Sequence, residues 1–140
     1  YRLDPTELDG VNGENRPDPD GRLVRFADAG RGERVAFALY DEFLPSGSLV
    51  LRLQARRGAA DLPAQTPVAR VRLSLLDGSP PCEALMTLEQ LGAPGEWTSF
   101  ALSCTLLADG PARLVVETLG RVDLSFGDAV LQWRRDPSRR

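Results

Sequence analysis

Histidine and lysine are both missing from this chain of 140 residues: its 17 cationic side chains are all arginine. Without histidine the commonest general base and the commonest transition-metal ligand are gone together. The missing lysine sits beside abundant arginine, alanine, glycine and proline, which is what GC-rich codons produce, and carries no functional message alone. Excess cationic charge is absent too: the formal net charge is −3, so the basic footprint that phosphate backbones require is not there and nucleic acid is not an expected partner. No apolar run approaches bilayer-spanning length, so direct membrane insertion is not expected, and the opening Tyr1-Arg2-Leu3-Asp4 lacks the basic-then-apolar start of a signal peptide. GxSxG elbows and glycine-rich phosphate loops do not occur. Carboxylates are plentiful, as at Glu14, Asp18, Asp20, Asp41 and Glu42, but they cluster in turns, where solvation is their ordinary role; a two-carboxylate glycosidase is the least favoured reading. An enzyme is therefore not expected.

What is present is a period of two. Val35, Phe37 and Leu39 alternate with Ala36, Ala38 and Tyr40; Leu49, Leu51, Leu53 and Ala55 alternate with Val50, Arg52, Gln54 and Arg56. The same pattern runs through Val71, Leu73 and Leu75, through Phe100 and Leu102, and through Leu114 and Val116. Each run is that of a half-buried strand with one face on a core. Turn chemistry falls between the runs, at Asp20-Gly21, Pro45-Ser46-Gly47, Asp77-Gly78, Ala93-Pro94-Gly95 and Asp109-Gly110. Only Glu83 to Leu91 carries a weak helical stripe and reads as a strand or one short helix. The fold expected is an all-β antiparallel β-sandwich or jelly roll of about eight strands. A single sandwich domain should occupy residues 1–133, with 134–140 a polar linker or tail, and both ends read as junctions of a module within a longer protein.

Two cysteines allow a geometric test. If Cys82 to Leu88 and Trp97 to Leu106 form a hairpin centred near Ala93, Met86 faces Phe100, Ala84 faces Leu102 and Cys82 faces Cys104. That register puts the two sulfurs within bridging reach. The alternative is two buried thiols acting as small hydrophobes. Neither CxxC spacing nor a partner histidine supports a metal or redox centre. A bridge leans the expected location to a secreted, periplasmic or cell-envelope setting.

The order of signals resembles the galactose-binding-like jelly rolls, the group that contains many carbohydrate-binding modules. The matching stretches are Ala29 to Phe37, Phe43 to Leu53, Gly95-Glu96-Trp97 leading to Leu102, Asp109 to Val116, and Phe126 to Leu131. The likeness spans most of residues 22–133. It implies an aspartate, here Asp128, at the start of the closing strand, contributing to a structural calcium site with an acid of the first strand, here Glu7. It also implies that Trp97, on the parity of the outward Ser99 and Ala101, is either a sugar-stacking platform or a framework residue at a strand edge. No other cofactor is implied.

Aromatic residues are only 6% of the chain, and the rings available for a glycan groove, Tyr1, Tyr40, Phe43, Trp97 and Trp133, form no obvious cluster. Arg52, Arg56, Arg70 and Arg72 share the outward parity of two strands; were those strands neighbours, they would form a cationic stripe able to clamp carboxylates in bidentate fashion, as in an acidic glycan. A solvated face balanced by Glu117 is the plainer account of the same residues. The expected function is a non-catalytic carbohydrate-binding-type accessory module of a larger secreted or envelope protein, with Tyr40, Arg52, Arg70, Arg72 and Trp97 as candidate ligand contacts. The alternative is a structural or protein-interaction sandwich within a larger glycan-handling enzyme, with no ligand of its own and other domains of that protein as its partners.

Overall fold

A computed structural model describes residues 2–4, 14–78 and 80–134. Its strands are β1 (Arg2–Leu3), β2 (Glu14–Pro17), β3 (Leu23–Ala27), β4 (Arg34–Leu44), β5 (Gly47–Arg57), β6 (Pro67–Leu75), β7 (Cys82–Thr87), β8 (Thr98–Leu106), β9 (Gly110–Thr118) and β10 (Leu124–Arg134). Two short 3-10 turns, Ala29–Arg31 and Glu89–Leu91, are the only helical segments among the described residues. The window from Glu83 to Leu91 is thus a strand that ends in such a turn.

Pairing is antiparallel throughout and divides the strands into two sheets. One runs β2-β3-β10-β5-β8, with β1 also against β10; the other runs β4-β9-β6-β7. The described residues hold ten strands where about eight are expected, because β2 buries none of its four residues and β1 has only two. Neither leaves an alternating signature in the sequence.

The sheets close on one another through the positions that the alternation marks. Leu49, Leu51, Leu53 and Ala55 of β5 and Phe126, Ala129 and Leu131 of β10 meet Val71 and Leu73 of β6, Met86 of β7 and Leu114 and Val116 of β9, all at most 2% exposed. Each such large side chain contributes roughly 1.5–3 kcal/mol through burial. Phe37 and Phe126 bridge the layers edge to face, ring centroids 5.4 Å apart. One continuous hydrophobic cluster joins the two sheets. Strand β10 runs to Arg134, one residue past the expected domain end, and the rest of the expected tail lies outside the described residues.

Two expectations need correction. In β4 the register against β9 shifts between Val35 and Phe37 and again between Leu39 and Glu42, so simple alternation fails there: Ala36 and Ala38 are as buried as Phe37. Each irregularity spends an extra residue, which resets which face the following side chains occupy. The supposed β7–β8 hairpin does not form either. Strand β7 pairs with β6 and β8 with β5, so they are edge strands of different sheets. Cys82 and Cys104 are nonetheless joined in a disulfide, Cα atoms 5.7 Å apart. Both cysteines stand on core-facing positions, and the bond staples the two sheets along one side instead of crossing a hairpin.

A polar bridge is also buried in the sandwich. Arg25 of β3 is 6% exposed; its Nε donates to the Ala36 carbonyl of the opposite sheet at 2.8 Å, and its Nη1 donates to Asn15 Oδ1 at 3.0 Å. Burial pulls the guanidinium pKa below its ordinary value. These bonds satisfy a charge that would otherwise be costly to desolvate.

Candidate functional site

The outer face of the six-stranded sheet carries a trough of about 470 Å³. Its floor is made by a bulge. Leu53 faces Ala129 and Ala55 faces Phe126 across the β5–β10 ladder, so Gln54 alone stands opposite two residues, Gly127 and Asp128. The extra residue bends β10 and turns Asp128 towards the trough rim. Gly127 keeps the floor open: a Cβ there would lie 3.3 Å from Gln54 Oε1 and 3.4 Å from Trp97 Cζ3.

Trp97 forms one wall. It is half-buried at the entry to β8, and the turn before it is set by Gly92 and Gly95, both at positive φ, with the Gly95 N–H donating to the Arg57 carbonyl at 2.9 Å. The Arg56 guanidinium lies 4.5 Å from the centre of the indole ring, a cation–π contact. Asp18 Oδ1 holds Arg56 Nη2 at 2.7 Å, with the Asp18 side chain only 9% exposed.

The opposite wall is polar and comes from the early chain. Between β2 and β3 a tight turn forms as the Asp18 N–H donates to the Arg22 carbonyl at 2.7 Å. Within it the Arg22 backbone N–H donates to Asp20 Oδ1 at 2.9 Å, and Arg22 Nε pairs with Asp20 Oδ2 at 3.0 Å. The backbone bond from Arg22 lowers the Asp20 pKa most; the Arg22 side chain and charge add to it against a desolvation effect of opposite sign. Arg22, Leu23, Val24 and Asn15 line the trough on this side, and Arg2 and Asp4 close its end. Arg2 is ion-paired with Asp128. Donors, acceptors and one aromatic wall therefore surround the space, the set needed for a hydroxyl-rich ligand.

Of the residues singled out in the sequence, the trough collects Trp97 and Asp128. Arg52 points outward from the same sheet, its Nε donating to Gln132 Oε1 at 3.4 Å, but lies outside the trough lining. The cationic stripe does not exist as one surface, because β5 and β6 belong to different sheets. Arg70 and Arg72 face away on the four-stranded sheet, where Arg70 pairs with Glu83 at 3.2 Å and Glu117 at 3.6 Å and Arg72 with Glu83 at 3.0 Å. They are the solvated, charge-balanced face. Tyr40 lies on that sheet too, 41% exposed, with the Arg113 guanidinium 5.1 Å from its ring centre. Trp133 turns inward against the core, its Nε1 donating to the Pro45 carbonyl at 3.3 Å.

The calcium expectation meets a similar obstacle. Asp128 stands inside β10 and not at its start, and its carboxylate is engaged by Arg2. Glu7 lies outside the described residues. No group of three or more acidic, histidine or cysteine side chains able to hold a metal forms among the described residues, whereas Ca²⁺ takes six to eight oxygens. The described donors do not make such a site by themselves.

The early polar segment from Asp9 to Asp20, a place where binding residues are expected on a sandwich, supplies Asn15, whereas Gln54, Gly127 and Arg22 went unnoticed in the sequence. They converge only because a bulge and a distant turn meet on one face, and no local spacing announces that.

With the fold and the trough in view, comparison with solved structures places the architecture. The chain has the jelly-roll β-sandwich fold of carbohydrate-binding modules. It is similar to the C-terminal family 6 carbohydrate-binding module of a marine laminarinase from Zobellia galactanivorans, at 11% identity and a TM-score of 0.60, covering 93% of this chain and 98% of that one. It is similar also to a carbohydrate-binding module of a Cellvibrio mixtus lichenase solved with cellotriose, at 11% identity and a TM-score of 0.58, covering 96% and 98%. An exo-β-1,3-galactanase from Phanerochaete chrysosporium solved with galactose aligns at 10% identity and a TM-score of 0.62, with 94% of this chain covering 29% of that one. At such identities the likeness is one of fold. No protein-family model and no curated protein matches the chain.

Proposed function

We propose that this domain is a non-catalytic carbohydrate-binding module, an accessory unit of a larger glycan-handling protein, and that the trough over Gly127 holds an oligosaccharide. The observation that carries the reading is the lining itself. A pyranose offers apolar ring faces and a girdle of hydroxyls, and the trough offers the half-buried Trp97 beside Gln54, Arg22, Arg2 and Asp128. Its volume of about 470 Å³ lies within the usual range of small-ligand sites. The modules of like fold, one of them solved with cellotriose, support the same ligand class. The Cys82–Cys104 bond supports an oxidising setting, secreted, periplasmic or in the cell envelope. A structural calcium ion remains part of the proposal only through Glu7 and Asp128 together.

Affinity electrophoresis through gels containing laminarin, hydroxyethylcellulose or xylan tests it. At least one polymer is expected to retard the wild type, and Trp97→Ala and Gly127→Leu are expected to abolish the retardation while keeping the circular-dichroism spectrum. A wild type retarded by none of these, nor by the acidic polymers polygalacturonate, alginate and glucuronoxylan, would refute the binding reading and leave the sandwich as a structural or interaction unit. A thermal melt with calcium and with chelator reads the metal independently, since a ion bound only by the native state raises the midpoint.

A further inference from the structure

A second hollow, of about 420 Å³, opens on the same outer face and is walled by Phe26, Arg56, Arg57, Pro94, Asp123 and Ser125. It lies one row further along the strands. Arg56 is two residues past Gln54 on β5, Ser125 two before Gly127 on β10, and Phe26 two past Val24 on β3. Two residues of strand span roughly 7 Å. A chain-like ligand lying in the trough therefore reaches this hollow with its neighbouring sugar.

The chemistry of the hollow differs from that of the trough, because two guanidinium groups dominate it and both are held in place. Arg57 donates from Nε to the Gly92 carbonyl at 2.8 Å and from Nη1 to the Gly58 carbonyl at 3.3 Å. The Arg56 guanidinium lies over the Trp97 ring and donates from Nη2 to Asp18 Oδ1. Among the described residues no acceptor takes Arg56 Nε or Nη1. Asp123, the one carboxylate in the wall, accepts the Ala29 N–H at 2.8 Å. Phe26 offers no bare platform, since the Arg16 guanidinium sits 3.7 Å from its ring centre and is itself paired with Glu14.

The geometry points to a uronate subsite: we propose that the ligand is an anionic polysaccharide whose sugar carboxylate is clamped in this hollow by Arg56 and Arg57. The inference rests on the carbohydrate-binding reading of the trough. Asp18 shows how Arg56 receives a carboxylate, and the planar guanidinium fork matches a second one in bidentate fashion. Fixing both side chains beforehand removes much of the ordering cost of binding.

The test is affinity electrophoresis in polygalacturonate, alginate and glucuronoxylan beside neutral laminarin, hydroxyethylcellulose and xylan, with dextran sulfate as a polyanion without carboxylates, at low and high salt. At least one uronate polymer is expected to bind at least tenfold more tightly than every neutral polymer at low salt, with the margin shrinking as salt rises. Arg57→Gln is expected to erase that margin and leave neutral binding within twofold, and Arg56→Lys, which keeps the charge but not the fork, to retain only part of the margin. Thermal melts establish that both variants fold. Retardation by neutral polymers alone, an unchanged margin in Arg57→Gln, or tighter binding of dextran sulfate than of every uronate polymer overturns the uronate subsite while the trough reading stands. Retardation by none of the polymers overturns both.

Discussion

Reducing the Cys82–Cys104 bond should cost this domain a large share of its stability, and the size of the loss follows from the chain it closes. The bridged residues are 22 apart in sequence. Cross-linking a loop of that length removes unfolded-state entropy equivalent to about 3 kcal/mol at room temperature. For a domain of this size a loss of that order lowers the melting midpoint by roughly 10 °C. The cleanest assay is a calorimetric melt of oxidised protein beside protein reduced under mild denaturant and returned to buffer with reductant, since both sulfurs then stay in place and packing is little changed. A Cys82→Ala/Cys104→Ala variant should follow the reduced form. Thiol titration of the unfolded, unreduced chain should find no free thiol. Midpoints that agree within about 2 °C would refute the reasoning, since they would show that the cross-link does not constrain the unfolded chain.

Other perturbations give equally direct readouts. Gly120 has φ +74°, and a Cβ there would come within 2.7 Å of the Gly32 backbone. Gly120→Ala is therefore expected to destabilise by more than the roughly 1 kcal/mol of an ordinary strained glycine replacement, read from urea midpoints. Leu53→Ala, at a side chain with no exposure, should cost about 2–5 kcal/mol in the same assay, with an unchanged denaturant slope. Asp20 titrates below the usual carboxylate range; its contribution is present above the unfolded pKa and lost as pH falls through the folded one. A carboxyl NMR titration should show that depressed midpoint in the wild type and only partial recovery in Arg22→Gln, which keeps the dominant backbone bond.

Much of the fold was legible because its strands bury one face only. In β5, β8 and β9 the alternation of Leu49 to Ala55, Phe100 to Leu106 and Leu114 to Val116 survives intact as burial. In β4 it does not, since two register shifts let Ala36, Phe37 and Ala38 all turn inward. Small alanines carry too little hydrophobic contrast to show where a shift falls. The cysteine pair was legible for a reason other than the hairpin: inward parity says that two residues reach the core, but not whether they meet along one sheet or across two. The trough was the least legible feature. Trp97 stood out in the Gly95-Glu96-Trp97 step, whereas Gly127 and Gln54 meet on the trough floor only where a bulge sets two residues against one, and Asn15 sits in a strand that is exposed throughout.

Among the described residues strand β8 ends its sheet, pairing only with β5, and its sequence TSFALSCTL contains no charge and no proline. Such a strand is a template on which another chain can add itself, and natural sheets usually guard it with lysine, proline or a bulge. Here the guard is covalent: the disulfide ties β8 to β7 of the opposite layer and holds that edge against its own molecule. Reduction should accordingly raise light scattering in concentrated samples before it lowers the strand signal in circular dichroism, because the first molecules to loosen at β8 acquire an edge that fits their neighbours.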